Sequence, residues 1–269
     1  MRCLTLLTSI FLSSLIISFT GCTKTFDYSP YQTFVDKDER NTTSNQLNKI
    51  LINSSDTFQP FRFALISDNH LAYDSFTDAL DLIAQDSSLS FVLHGGDIAD
   101  NGFLREFEVF HNHMADLPIP FLTVIGNHDY LSNGEDVYAI MFGERNYSFV
   151  YNDIKFVVFD NVTLESNQVP EFEWIEKELT DGLNHTHTLT LSHIPPTSNT
   201  FTIEQQERLS SLMKNFKVTL SMHGHIGKYS FEESFEDGVR YLTVDLSGQR
   251  TFAIIEVQLD SVIVNRIDY

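Results

Sequence analysis

The sequence predicts an α/β fold built around parallel strands, and three observations carry that expectation. Short apolar runs alternate with polar loops and amphipathic stretches from Phe61 onward, the pattern of repeated strand, loop and helix units. Five clusters of ligand-type residues fall in order, mostly at the ends of those runs: Asp68-Asn69-His70, Gly96-Asp97, Gly126-Asn127-His128-Asp129, His193 and His223-Gly224-His225. The 269 residues, 42% of them apolar, suffice for one packed domain.

Taken from the N-terminus, residues 1–21 hold one positive charge, Arg2, an apolar stretch from Leu4 to Phe19, and small Gly21 before Cys22. This reads as an export signal and resembles the lipobox of bacterial lipoproteins, with Phe19 in place of the usual leucine. An ordinary signal or an uncleaved anchor helix is the alternative. The resemblance implies cleavage before Cys22, lipidation of that cysteine, and a body tethered to a membrane in the cell envelope, outside the cytoplasm. Multiple acyl chains would be needed, because one gives only marginal binding. Cys3 would depart with the signal, leaving no internal disulfide. Residues 22–59, rich in Ser, Thr, Asn and Asp with scattered aromatics, predict a partly ordered polar tether. Within it Ser44 is placed to cap a short helix carrying Leu47, Ile50 and Leu51.

The folded body is expected over residues 60–269. Phe61 to Ile66 predicts a strand and Phe76 to Ala84 a helix with Leu80 and Ile83 on one face. The unit repeats as Phe91 to Leu93 with the helix Phe103 to Met114, and begins again as Phe121 to Ile125. Units of this kind make strands parallel, and ligand sites in such sheets form outside the carboxyl ends of the strands. Tyr147 to Val150 and Lys155 to Phe159 predict a pair around an Asn152-Asp153 turn, followed by an amphipathic helix over Val169 to Leu179. Strands are then expected at Thr188 to Leu191, Val218 to Met222, Lys228 to Phe231, Tyr241 to Val244, Phe252 to Gln258 and Val262 to Ile267. The segments Leu131 to Arg145 and Thr197 to Thr202 read as loops. The 13% of aromatic residues is read as core between sheets.

A formal charge of −20 without any basic run argues against a sequence-independent grip on nucleic acid. In an extended segment residues two apart point the same way, so Asp68 with His70, and His223 with His225, can each face one site. Carboxylates, a carboxamide and imidazoles with no thiolate suit hard or borderline divalent ions. A purely structural role for all of them would bury too many polar groups without compensation. His94 reads as a core histidine beside the site. His111, His113, His185 and His187 read as surface or packing residues, and Asp129 as a turn stabiliser.

These five blocks, with Asp97-Ile98-Ala99-Asp100-Asn101-Gly102 and His193-Ile194-Pro195-Pro196, resemble those of the calcineurin-like metallophosphoesterase superfamily. The resemblance spans Phe61 to the C-terminus. It implies a four-layer αββα sandwich, two mixed β-sheets face to face with helices outside. It also implies two divalent metal ions (Mn, Fe or Zn), one held by Asp68, His70, Asp97 and His225, the other by Asp97, Asn127, His193 and His223. The last block of the family is usually Gly-His-x-His, and Met222 stands at that glycine. The implied chemistry is hydrolysis of small phosphomonoesters or phosphodiesters by a metal-held hydroxide, with His128 facing the substrate. Asp100 would hold His128, or else act only as a loop cap beside Gly102. Purple acid phosphatases of the superfamily carry a tyrosine where Asp100 stands, which places the chain outside that subgroup. Two alternatives remain: a non-catalytic metal- or phosphate-binding lipoprotein of the same fold, and a cyclic-nucleotide phosphodiesterase. Oligomeric state is not legible.

Overall fold

A computed structural model of the protein describes residues 29–245 and 247–269. The expected signal segment and Cys22 lie outside the described residues. Two mixed sheets carry the fold. The first is ordered β11-β10-β1-β2-β3, with β1 (Phe61–Ile66), β2 (Leu89–His94) and β3 (Phe121–Thr123) parallel, and β10 (Thr251–Val257) and β11 (Val262–Asp268) added antiparallel. The second is ordered β4-β5-β6-β7-β9-β8. Its strands β5 (Ile154–Val158), β6 (His187–Leu191), β7 (Leu220–His223) and β9 (Arg240–Thr243) are parallel. Antiparallel β4 (Tyr147–Tyr151) and β8 (Ser230–Glu232) lie at its edges.

The alternation of side chains along each strand explains the layering. Phe61, Phe63 and Leu65 of β1 join Phe91, Phe149, Phe156, Leu189, Leu220 and Ile255 in one buried cluster drawn mainly from strands of both sheets. The intervening Ala64 and Ile66 join a second cluster with the helices: Phe76 and Leu80 of α2 (Tyr73–Gln85), Phe107 and Phe110 of α3 (Leu104–Ala115), Ile175 and Leu179 of α5 (Phe172–Gly182). The result is the αββα sandwich with a largely aromatic centre. Phe149 and Phe156 stack at 4.6 Å, and Phe63 and Phe91 at 5.2 Å. Each such pair adds roughly 0.5–1.5 kcal/mol beyond its burial.

Three segments differ from the sequence reading. The tether helix α1 (Thr42–Leu51) starts earlier than expected. Ser44 lies inside its first turn, Asn41 precedes it in a left-handed conformation, and Ile50 is buried while Leu51 is exposed. Leu131 to Arg145 is not a loop throughout, because Val137, Tyr138 and Met141 bury one side of a short helix, α4 (Gly134–Met141). Helix α6 (Ile203–Asn215), unread in the sequence, is opened by a capping box. Thr202 Oγ1 accepts from the Gln205 N–H at 3.2 Å, and Gln205 Oε1 accepts from the Thr202 N–H at 2.9 Å.

Candidate metal centre

Every block with ligand-type residues leaves the carboxyl end of a parallel strand. Asp68 and His70 follow β1, Asp97 follows β2, Asn127 and His128 follow β3, His193 follows β6, and His225 follows β7. The turns out of β1, β2 and β7 are abrupt. Asp68, His70, Asp97 and His225 all take positive φ, at 51°, 40°, 56° and 74°, a backbone region that costs non-glycine residues about 1–3 kcal/mol each. Hydrogen bonds between the loops offset this. The Asp68 N–H donates to the Gly96 carbonyl at 3.0 Å, the Gly224 N–H to the His193 carbonyl at 3.0 Å, and the Ser247 N–H to the Asp68 carbonyl at 3.3 Å. Two glycines are sterically required: a Cβ on Gly126 would lie 2.2 Å from Asp97 Oδ1, and one on Gly224 2.2 Å from Asp68 Oδ2.

Asp97 is central. Its Oδ1 accepts the His128 N–H at 2.9 Å, while Oδ2 lies 3.3 Å from His193 Nε2 and 3.6 Å from His70 Nε2. Asn127 Oδ1 lies 3.1 Å from His193 Nε2 and 2.9 Å from His225 Nδ1. Asp68 accepts the His225 N–H with both oxygens at 3.1 Å and the Ser67 hydroxyl with Oδ2. The Nδ1 of His70 is buried without a hydrogen-bond partner. Two groups of converging donors result, Asp97 with His193 and His225, and Asp97 with His70 and His128.

The electrostatics are those of a site that favours positive charge. His193 is fully buried, which opposes its protonation. The Asp97 and Asp68 carboxylates and the Gly95 carbonyl nevertheless push it up to about 10. Asp97 is buried too, yet neighbouring His193, with His128 and His70, holds it well below the usual carboxylate range. Asp68 is raised to about 7 by burial and by repulsion from Asp97, against the pull of His193 and two hydrogen bonds. His225 is lowered to about 4, by burial and then by His193. Oxygen and nitrogen donors packed this closely, with one imidazole nitrogen left unpartnered, fit divalent cations.

Three expectations about individual residues change. His223 is not among the converging donors. As the last residue of β7 it is fully buried, with Nδ1 3.0 Å from the Ser192 carbonyl and Nε2 2.8 Å from Ser221 Oγ. His225 sits beside His193 and Asn127, the side expected for His223, rather than with Asp68 and His70. The final block therefore reads Gly224-His225-Ile226-Gly227 at the site. Gly224 supplies the glycine thought replaced by Met222, and Gly227 stands where a second histidine would fall. Finally, Asp100 holds His128 by its main chain. The His128 Nδ1–H donates to the Asp100 carbonyl at 2.8 Å, whereas the Asp100 carboxylate lies 3.6 Å from His70 Nδ1 and accepts from Asn101.

Buried Asp129, expected to stabilise its turn, accepts the Gly126 N–H at 2.8 Å and also the Ala99 N–H at 2.8 Å, so that it clamps two of the loops together. Two further supporting residues went unread in the sequence. Asn161 pins the His193 loop through the Ile194 N–H and carbonyl. Glu165 lies 3.4 Å from the Asn127 amide nitrogen.

Carboxylate, carboxamide and imidazole donors sharing Asp97 at the carboxyl ends of two stacked mixed sheets define a metallophosphatase-like protein. The chain belongs to the calcineurin-like phosphoesterase family, whose model matches residues 61–229. Solved structures of the same fold include a purple acid phosphatase from yellow lupin seeds. It is 16% identical with a TM-score of 0.66, over 80% of this chain and 53% of that one. This chain thus spans about half the length of the lupin enzyme. GAP50 of Plasmodium, described as the anchor in the inner membrane complex, is 13% identical with a TM-score of 0.59, over 78% of this chain and 84% of that one. The TT1561 protein of Thermus thermophilus is 13% identical with a TM-score of 0.56, over 77% and 99%. These likenesses show the fold alone. No curated protein matches the chain.

Proposed function

We propose that the protein is a divalent-metal-dependent phosphoesterase that hydrolyses small phosphomonoesters or phosphodiesters. The observation carrying this reading is the convergence of Asp97, Asn127, His193 and His225, with His70 on the same Asp97 carboxylate and Asp68 tied to the loop through the His225 N–H, in a chain of the phosphoesterase family. Asp97, Asn127, His193 and His225 would hold one ion, and Asp68, His70 and Asp97 a second, with Mn, Fe or Zn suited to both. Bound divalent ions supply Lewis acidity toward phosphate oxygens and toward water.

The chain's own residues do the rest. Asp97 keeps the two positions adjacent. His128, fixed by its Nδ1–H on the Asp100 carbonyl, has Nε2 free to pass a proton to the leaving oxygen or to offset charge developing on the phosphate. The burial of Asp68, Asp97 and His193 strengthens those interactions by excluding water. We further infer that Cys22 carries a lipid anchor, placing the body at a membrane of the cell envelope with small phosphate esters as its substrates.

The direct test is hydrolysis of p-nitrophenyl phosphate and of its bis ester after chelation, with and without added Mn(II). Turnover of either that depends on the metal supports the reading. Absence of metal-dependent turnover of both, in protein that binds Mn(II), favours a binding protein of the same fold.

A further inference from the structure

Resting on that reading of the centre, we propose that its two cation positions are unequal: the Asp97, Asn127, His193 and His225 position is built for tight binding, and the Asp68 and His70 position is a weak one. The first position has four donors already in mutual contact. His193 Nε2 lies 3.3 Å from Asp97 Oδ2 and 3.1 Å from Asn127 Oδ1, and His225 Nδ1 lies 2.9 Å from the same amide oxygen. The His193 and His225 rings meet edge to face at 5.1 Å. Their backbones are anchored to each other through the Gly224 N–H on the His193 carbonyl. An ion entering there needs little rearrangement of the protein.

The other position is poorer in two respects. The lone pairs of Asp68 are partly spent on the His225 N–H and the Ser67 hydroxyl. The last loop contributes no imidazole to it: His223 is bound by Ser192 and Ser221, His225 serves the other side, and position 227 is a glycine at φ 65°. His70 lies 3.6 Å from Asp97 Oδ2 and 3.6 Å from Asp100 Oδ1, both longer than any contact of the first position, and His128, the other imidazole on that side, is held by Nδ1 on the Asp100 carbonyl. Disturbing even an outer-shell partner of a ligand weakens metal binding about 10–100-fold. A missing ligand should separate the two positions by at least that much.

The experiment uses the full chain, stripped with a chelator and titrated with Mn(II) alone, followed by electron paramagnetic resonance and by metal content after desalting. One ion per chain should survive desalting and give the hyperfine pattern of isolated Mn(II). A spin-coupled signal should appear only at free Mn(II) at least about 10–100-fold higher. His225→Ala should lose the retained ion, whereas His70→Ala should keep it and lose only the coupled signal. Filling of both positions together, with coupling from the first additions, would overturn the proposal, and so would loss of the retained ion in His70→Ala. A wild-type chain that takes up no Mn(II) would instead overturn the metal-dependent function itself, so the two failures are distinguishable. The wild-type titration decides the question even where a variant does not fold.

Discussion

His94 and His193 are both completely buried, each at the end of a strand or just beyond it, yet their surroundings push them in opposite directions from the ordinary imidazole value. His94 is lowered to about 3 by burial, with His193 adding repulsion, and its Nε2 has no hydrogen-bond partner. It packs edge-on against Phe110 at 4.8 Å. His193 experiences the same burial, but Asp97 at 3.3 Å reverses the outcome and lifts it to about 10. Burial alone therefore does not decide whether an imidazole is apolar filler or part of a charged centre. The nearest carboxylate decides it.

Removing that carboxylate should collapse the distinction. Asp97→Ala is expected to abolish metal content and turnover together, because both positions share the side chain. Measured metal retention with lost turnover would show that the centre does not depend on it. A smaller effect is expected at the histidine that belongs to neither class. His128→Ala should keep its metal while turnover falls by about 10²–10⁴, or ~3–5 kcal/mol. Metal analysis beside initial rates checks this, and an emptied centre would make His128 a ligand.

The smallest effect, and the sharpest for the comparison, is on stability against pH in metal-free protein. His193 has a folded value above its ordinary 6.5, so the folded state holds the extra proton. Its contribution is complete below about pH 6.5 and is lost as pH rises toward 10. His94 has a folded value below 6.5, so the unfolded state holds the extra proton. Its contribution is complete above that pH and is lost as pH falls toward 3. Thermal melts across this range should therefore lose stability at both ends. His193→Asn should flatten the alkaline limb and His94→Asn the acid limb. Equal effects of the two variants on both limbs would refute the contrast.

Much of this arrangement was legible because it is local. The strands after Phe61, Leu89 and Phe121 announce themselves by apolar runs, and the polar loops that follow fall where parallel sheets place ligand sites. The final block misled because the two-residue period holds only within a strand. His223 ends β7, whereas His225 sits in a left-handed turn at φ 74°, so the two rings part company. Helix α6 went unread although Thr202 and Gln205 spell a capping box, since its Ser- and Gln-rich exposed side masks the stripe of Leu209, Leu212 and Met213. The main-chain grip of Asp100 on His128 leaves no trace in side-chain identity.

The donors come from both sheets: Asp68, His70, Asp97 and Asn127 from the first, His193 and His225 from the second. Neither half of the sandwich owns a centre. The edge-to-face contact of Phe63 with Phe156 at 5.7 Å joins the two stacked pairs across the layers, so a slip of one layer along the other would shift the two sets of donors relative to each other.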